Sequence, residues 1–180
     1  MRFTPTPLLG AWLIELDPQA DARGELVRTY CERTFAAQGL NTRWPQCNHT
    51  RTRSRGMIRG LHFQAAPVSE VKLVRCTAGA IWDVIVDLRT DSATYGHHAS
   101  FELSAESRRQ LYVPAGFAHG FQCLTDGCEV SYMMSESFVP ELARGVRWDD
   151  PALNIAWPIA SPQLSERDRN LPLLPTRTTQ

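Results

Sequence analysis

The chain has 180 residues, of which 43% are hydrophobic and 21% are charged, a composition typical of a folded globular protein and not of a disordered or fibrous one. Nineteen basic residues balance nineteen acidic ones, which argues against nucleic-acid binding driven by an excess of positive charge. No apolar run approaches the length that crosses a bilayer and the N-terminus lacks a signal-peptide pattern, so we expect no membrane association and a cytoplasmic location.

Short apolar segments separated by glycine and proline predict a chain built mostly of β-strands. In chain order the predicted strands cover residues 8–16, 25–30, 71–76, 80–88, 100–103, 109–113, 121–124 and 129–134. A turn at Asp126-Gly127 joins the last two strands as a hairpin. The one predicted helix is short, running from Glu32 to Gln38, and Gly39 follows it as a C-terminal cap.

Many short strands and almost no helix predict an all-β sandwich or barrel, and the length predicts a single domain over residues 1–180. The chain from Trp148 onward is rich in proline and lacks periodicity, so we expect the tail over 158–180 to pack on the barrel, with 177–180 frayed. The five cysteines are odd in number, well spread and without a Cys-x-x-Cys pair, which predicts free thiols in a reducing compartment.

The segment from residue 55 to 64 places Arg59 and His62 among glycines and apolar residues. The guanidinium group of arginine offers a fixed fork of donors that suits a phosphate or a carboxylate. On an ideal strand the two side chains would point to opposite faces, so both line one site only if the strand bends or bulges at Gly60. The alternative is a surface arginine and a hydrogen-bonded core histidine.

Other ionisable residues lie on or beside apolar strands. His119 follows a Pro-Ala-Gly turn and stands between two phenylalanines, an apolar setting that favours its neutral form. The alternative is a structural histidine that anchors the turn. Lys72, Asp83 and Tyr132 are each more often structural, because a lysine can reach solvent past apolar neighbours and a tyrosine can pack in a core. Together with two histidines inside a barrel, they would form a site.

The Pro-x-Gly-x-x-His pattern that ends at His119 resembles the second motif of the cupin superfamily. Metal-binding cupins also carry a His-x-His pair in their first motif, whereas here His62 is followed by Phe-Gln. Two histidines without a further ordered ligand make a poor metal site, so we expect a metal-free cupin. The adjacent His97 and His98 follow a predicted turn and are interpreted as exposed loop residues.

Taken together, the motifs resemble those of the dTDP-4-dehydrorhamnose 3,5-epimerase family. The resemblance extends over most of the chain, and its motifs, in this order, are more specific for the family than for the substrate within it. The segments that carry it are 21–24, 59–64, 72–76, 83–89, 114–121, 147–151 and 165–168.

The resemblance implies a double-stranded β-helix (a jelly-roll cupin) with short peripheral helices, which forms a homodimer and uses neither a metal nor an organic cofactor. It implies a nucleotide-linked 4-keto-6-deoxyhexose, with dTDP as the nucleotide, as the substrate. It also implies that His62 is the base and is paired with Asp168, that Tyr132 is the acid on the opposite face, and that Lys72 lies beside the enolate oxygen. The positions that match substrate-binding residues of the family are Arg23, Gln46, Asn48, Arg59, His119 and Asp83.

These residue types suit proton transfer next to a ketone. A neutral histidine is a suitable base, a carboxylate fixes its tautomer, and an ammonium group stabilises the negative oxygen that develops. A tyrosine hydroxyl on the other face returns a proton and inverts the carbon. The alternatives are epimerisation at C3 or C5 alone, a ketoisomerase acting on a related nucleotide sugar, and a sugar-binding cupin without catalytic activity.

Overall fold

The computed structural model describes residues 1–174, and most of them belong to antiparallel β-strands. In chain order the elements are β1 (Arg2–Pro5), β2 (Trp12–Glu15), β3 (Pro18–Asp21), β4 (Gly24–Val27), α1 (Glu32–Ala37), β5 (Gln46–Thr52), β6 (Ile58–Gln64), β7 (Lys72–Ala78), β8 (Ala80–Asp87), β9 (His98–Ser104), β10 (Arg109–Val113), β11 (Phe117–Cys123), β12 (Cys128–Met134), a 3-10 helix (Pro140–Leu142), β13 (Ala143–Gly145) and α2 (Glu166–Arg169).

The strands form two large sheets and one hairpin. The larger sheet has the order β1-β2-β10-β7-β12-β5, and the smaller one has the order β13-β6-β11-β8-β9. Strands β3 and β4 form a separate two-stranded ribbon. Apolar side chains from both large sheets meet in one buried cluster, which includes Val74, Leu111 and Val130 from the larger sheet and Ile85 and Phe117 from the smaller one. This double-layered arrangement confirms the predicted all-β jelly-roll fold.

Strand β8, in the smaller sheet, is buried on both of its faces. It lies between β11 and β9, and its successive residues Val84, Ile85 and Val86 are all fully buried. Ile85 belongs to the cluster between the sheets, whereas Val84 and Val86 belong to a second cluster on the outer face. A strand that is covered on both faces reads as a continuous apolar run, which is how this segment reads in the sequence.

Peripheral segments cover the outer faces of both sheets. Helix α1 buries Phe35 against the larger sheet, in a cluster that contains Ile14 and Tyr112. On the smaller sheet, Leu153 packs in the outer cluster, and the Ile159 amide donates to Gln122 Oε1 at 3.0 Å. Residues 158–174 of the predicted tail therefore contact the barrel, while the fraying predicted for 177–180 lies outside the described residues. The single-domain organisation over 1–180 stays a prediction.

Several predicted boundaries differ from the structure. The strand predicted from residue 8 begins at Trp12, because the chain around Gly10 turns. The strand predicted from residue 121 begins at Phe117, so that the preceding turn is confined to residues 114–116. The interpretation of His98 as an exposed loop residue is wrong, since it starts β9 and is half-buried. Among the described residues, no helix is long and apolar enough to span a membrane.

Candidate active site

A cavity of about 250 Å³ opens between the two large sheets. Six of the ten predicted site residues line it, namely Asn48, Arg59, His62, Lys72, His119 and Tyr132. Its apolar lining includes Phe63, Phe121 and Met134. A mostly apolar hollow with a few converging ionisable groups is the usual form of a small-molecule site.

The two sheets supply opposite walls of this cavity. His62 on β6 is paired in register with His119 on β11, and both strands belong to the smaller sheet. Tyr132 on β12 is paired with Asn48 on β5 in the larger sheet, which also contains β7 with Lys72 at its first position. A ligand between the sheets therefore has His62 on one side and Tyr132 on the other.

Arg59 and His62 reach the same cavity because β6 is irregular between them. The pairing of β6 with β11 shifts register between His119 and Phe121. Gly60, at the centre of the irregularity, has a φ of 128°, and a Cβ added there would lie 2.6 Å from the Cα of Gly120. The irregularity expected at Gly60 is thus present, and only glycine fits there.

His62 is held by a buried carboxylate. Its Nε2 lies 2.7 Å from Asp168 Oδ1, and the other oxygen of Asp168 accepts a hydrogen bond from the Gly60 amide at 3.2 Å. Burial acts to raise the pKa of Asp168, but the hydrogen bond and charge of His62, together with the Gly60 amide, outweigh it and hold this pKa below its ordinary value. Because the carboxylate stays ionised, it favours an imidazole that donates from Nε2 and leaves Nδ1 as the proton acceptor.

Asp168 owes its position to helix α2 in the tail of the chain. Ser165 caps the helix by accepting a hydrogen bond from the Asp168 amide at 3.1 Å. The side chain of Asp168 is 7% exposed, whereas that of His62 is 40% exposed to the cavity and solvent. The tail thus contributes a buried carboxylate to a base that remains accessible to a ligand.

A second histidine–carboxylate pair lies beside the first. His119 Nε2 is 2.8 Å from Oδ1 of Asp83, which is fully buried on β8 behind the cavity wall. Burial raises the pKa of Asp83, and the charge and hydrogen bond of His119 oppose that effect only in part. Asp83 therefore fixes the ring of His119 and does not itself line the cavity.

Tyr132 is half-buried on the wall opposite His62. Burial raises the pKa of its phenol, although a hydrogen bond with Asn48 and the charge of Arg59 lower it in part. The net effect keeps the hydroxyl protonated at neutral pH, which is the form that can donate a proton.

Lys72 is buried and forms an ion pair with the carboxylate of Glu70, which sequence reasoning missed. Glu70 follows a loop without any recognised motif. The Glu-x-Lys spacing at the start of a strand could have indicated the ion pair, since residues two apart on an extended chain share a face. The cavity thus contains a matched pair of charges and not a lone cation.

Two further cations on the cavity wall were also missed. Arg144 on β13 and Arg167 on α2 line the cavity together with Arg59. Arg144 belongs to no recognised motif, and Arg167 stands beside Asp168 in the 165–168 segment without a role of its own in the sequence analysis. An arginine with no such role reads as a solvated surface residue. Three guanidinium groups around one cavity suit a ligand that carries phosphate groups.

The structure places Gln46 and Arg23 outside the cavity. Gln46 Oε1 accepts a hydrogen bond from the Phe138 amide at 2.9 Å, and its Nε2 donates to Asn48 Oδ1 at 3.3 Å, so it supports the wall. Arg23 lies in the turn between β3 and β4, where its side chain is 90% exposed and pairs with Asp21 at 2.5 Å. It does not line the cavity of its own chain.

Within residues 1–174, no cluster of three or more His, Cys, Asp and Glu side chains is arranged to hold a metal ion. All five cysteines are free, in agreement with the prediction from their number and spacing.

Comparison with known proteins gives consistent findings. The sequence model described as dTDP-4-dehydrorhamnose 3,5-epimerase matches residues 5–176. The dTDP-4-dehydrorhamnose 3,5-epimerase of Methanothermobacter thermautotrophicus is 44% identical over 172 residues, which are 94% of this chain and 92% of that protein. The dTDP-4-dehydrorhamnose 3-epimerase of Streptomyces niveus is 39% identical and covers 97% of this chain and 84% of its own length.

Among solved structures, the dTDP-4-dehydrorhamnose 3,5-epimerase of Bacillus anthracis with TDP and PPi bound superimposes with a TM-score of 0.94. Its sequence is 41% identical, and the match covers 96% of this chain and 99% of that one.

Proposed function

The chain belongs to the dTDP-4-dehydrorhamnose 3,5-epimerase family, and from this membership we propose that it epimerises a dTDP-linked 4-keto-6-deoxyhexose. The observation that carries the proposal is the placement of the His62–Asp168 pair and of Tyr132 on opposite walls of one cavity. Inversion of a carbon requires that a proton leave one face and that another arrive at the opposite face.

In the first step, His62 removes the hydrogen from a carbon next to the C4 ketone. The carbon–hydrogen electron pair moves into the bond to C4, and the ketone oxygen becomes an enolate. Asp168 stabilises the imidazolium that forms, and the ammonium of Lys72 stabilises the enolate oxygen. Because the cavity is largely apolar, both charge interactions are stronger there than in water.

In the second step, Tyr132 delivers its phenolic proton to the opposite face of the same carbon. The ketone re-forms with the inverted configuration, and the tyrosine and histidine then exchange their protons with solvent. The raised pKa of Tyr132 suits this role, because the hydroxyl must be protonated when the enolate forms.

We propose that Arg59, Arg144 and Arg167 hold the diphosphate of the substrate at the cavity wall. The free state of all five cysteines supports the proposal of a reducing, cytoplasmic location.

We also propose a homodimer in which the β3–β4 hairpin, with Arg23, serves the site of the second copy. The hairpin supports this, because all four residues of β3 are exposed and Leu26 on β4 is 75% exposed. Light scattering tests the assembly, and a mass equal to the single-chain value of 20.3 kDa would contradict it.

The experiment that tests the reaction is proton NMR of dTDP-4-keto-6-deoxyglucose incubated with the protein in D2O. We expect deuterium to replace hydrogen at both C3 and C5. Deuterium at C3 alone would favour the alternative of epimerisation at one carbon. The 39% identity to the Streptomyces niveus 3-epimerase is compatible with that alternative. If neither position exchanged, the proposed function would be wrong.

A further inference from the structure

The proposed steps assign the carboxylate of Glu70 no direct contact with the substrate. This residue lines the cavity beside Lys72, and its side chain is only 4% exposed. Acidic side chains are almost never buried to this degree unless they are paired. Its position therefore requires an explanation that involves both of its oxygens.

The two oxygens of Glu70 differ in their surroundings. Oε1 accepts a hydrogen bond from the ammonium of Lys72, whereas Oε2 is buried and has no hydrogen-bond partner within residues 1–174. A buried acceptor without a donor is unfavourable, and such groups in native proteins are usually satisfied by a ligand or a water molecule. Since Glu70 lines the cavity, a hydrogen-bond donor on a bound ligand can satisfy Oε2.

The proposed substrate defines which donor this is. Lys72 is assigned to the oxygen on C4, and the carboxylate next to it must therefore face a neighbouring carbon of the sugar. In a 4-keto-6-deoxyhexose, C3 carries a hydroxyl group, whereas C5 carries the ring oxygen and a methyl group. The C3 hydroxyl is thus the one hydrogen-bond donor adjacent to the ketone.

We propose that Glu70 is a further substrate-binding residue, which accepts a hydrogen bond from the C3 hydroxyl of the sugar while it holds the ammonium of Lys72. This inference rests on the proposed function. Its consequence is selectivity, because a sugar without a C3 hydroxyl leaves a buried carboxylate oxygen unpaired. Sites built to bind a hydroxyl reject analogues that lack it more strongly than apolar pockets reject a missing methylene.

The test compares two substrates and two proteins by the rate of deuterium uptake next to the ketone in D2O. The substrates are dTDP-4-keto-6-deoxyglucose and its 3-deoxy analogue, and the proteins are the wild type and Glu70→Gln. We expect the wild type to prefer the hydroxylated substrate by roughly 10- to 100-fold in kcat/KM, the range typical of a hydrogen bond to a charged group. In Glu70→Gln this preference should fall by about 3- to 10-fold, since a neutral hydrogen bond is about half as strong.

Glu141→Gln is the matched control, because it makes the same charge change at an exposed residue that does not line the cavity. It should keep the full preference, and unchanged dTDP affinity should show that both variants are folded.

The outcomes separate this inference from the proposed function. If the wild type exchanges the hydroxylated substrate but shows no preference over the 3-deoxy analogue, the role of Glu70 is refuted whatever the variants do. If Glu70→Gln loses the same factor on both substrates, Glu70 acts only through Lys72, and the inference is again overturned. If the wild type exchanges neither substrate, the proposed function itself fails, and the inference falls with it.

Discussion

The two aspartates that hold histidines in this site have opposite pKa shifts, although both are buried and each has one histidine partner. Asp168 receives a second hydrogen bond, from the Gly60 amide, and its pKa is lowered. The other oxygen of Asp83 has no hydrogen-bond partner among residues 1–174, and burial raises the pKa of Asp83. The deeper burial of Asp83 and its smaller number of donors both act to raise its pKa relative to that of Asp168. The ionised Asp168 is the better partner for a histidine that must accept a proton.

His62→Asn tests the proposed base. Asparagine is polar but shorter than histidine and cannot accept a proton from carbon, so we expect deuterium exchange to fall by roughly 10²–10⁴-fold. The affinity for dTDP should stay close to that of the wild type, because the nucleotide is assigned to the arginines. Calorimetry with dTDP and NMR in D2O measure the two quantities.

Tyr132→Phe is the contrasting variant for this experiment. It keeps His62 and should still exchange hydrogen for deuterium, but it lacks the acid on the opposite wall and should invert poorly. Near-normal exchange in His62→Asn would mean that another residue is the base.

At the scale of the strands, the site depends on the close approach of β6 and β11. The backbones of these two neighbouring strands come closest at Gly60 and Gly120, where no side chain separates them. A Cβ added at Gly120 would lie 2.7 Å from the Arg59 carbonyl oxygen and 3.0 Å from the Gly60 Cα. Both contacts involve backbone, which cannot move aside as the end of a side chain can.

Gly120→Ala should therefore push β6 away from β11 and displace both Arg59 and His62. We expect a loss of about 1–3 kcal/mol in the free energy of unfolding, the usual cost of overpacking, and a fall in kcat/KM of at least about tenfold. Urea denaturation and the exchange assay measure these effects. Gly127→Asn in the β11–β12 turn is the control, because no other residue of the described part of the chain lies within 4 Å of the added Cβ and asparagine tolerates a positive φ. Equal effects of the two substitutions would contradict this explanation.

The strands also show where sequence patterns fail. Strand β5, Gln46–Thr52, consists of polar residues apart from Cys47, so it carries no apolar alternation that predicts a strand. It is nevertheless paired with β12 along its whole length, at the edge of the larger sheet. Exposed and partly buried residues alternate along β5, and the partly buried Asn48 and Thr50 line the cavity. A wall that binds a polar ligand has polar residues where a core strand has apolar ones.

At the scale of the whole molecule, a buried carboxylate outside the site links stability to pH. Asp87 is fully buried at the end of β8. Burial acts to raise its pKa, but hydrogen bonds from Arg89, Ser92 and Thr94 outweigh burial and lower the pKa from 3.8 to about 2. A lowered pKa stabilises the fold at pH values above about 4, and this contribution is lost as the pH falls toward 2.

Asp87→Asn should therefore lower the free energy of unfolding by about 2 kcal/mol at pH 7, the value that corresponds to this pKa shift. At pH 2 the difference between wild type and variant should be much smaller, because the wild-type carboxylate is then largely protonated. Urea denaturation at the two pH values measures both differences. Asp91→Asn, at an exposed position of the following loop, should have little effect at either pH. An equal deficit at pH 7 and pH 2 would show that shape and not charge is responsible.

The fold class and the family could be predicted from local residue patterns. The short apolar segments predicted an all-β sandwich or barrel, and the motifs around His62, His119 and Asp168 resembled those of the family that the comparisons show, a resemblance that implied the jelly roll. Motifs carry this information because a reactive side chain and the glycines beside it lie within a few residues of each other in the sequence.

Which side chains share the cavity could be read only from the three-dimensional structure. It set His62 and Tyr132 on different sheets, placed Arg23 away from the cavity of its own chain, and added Glu70 and Arg144 from segments without a motif, as well as Arg167 next to Asp168. The physical reason is that a site between two sheets is formed by residues far apart in the chain. Their proximity depends on strand register and on the close contact between Gly60 and Gly120. The local sequence indicated an irregularity at Gly60, but neither the register nor the partner Gly120.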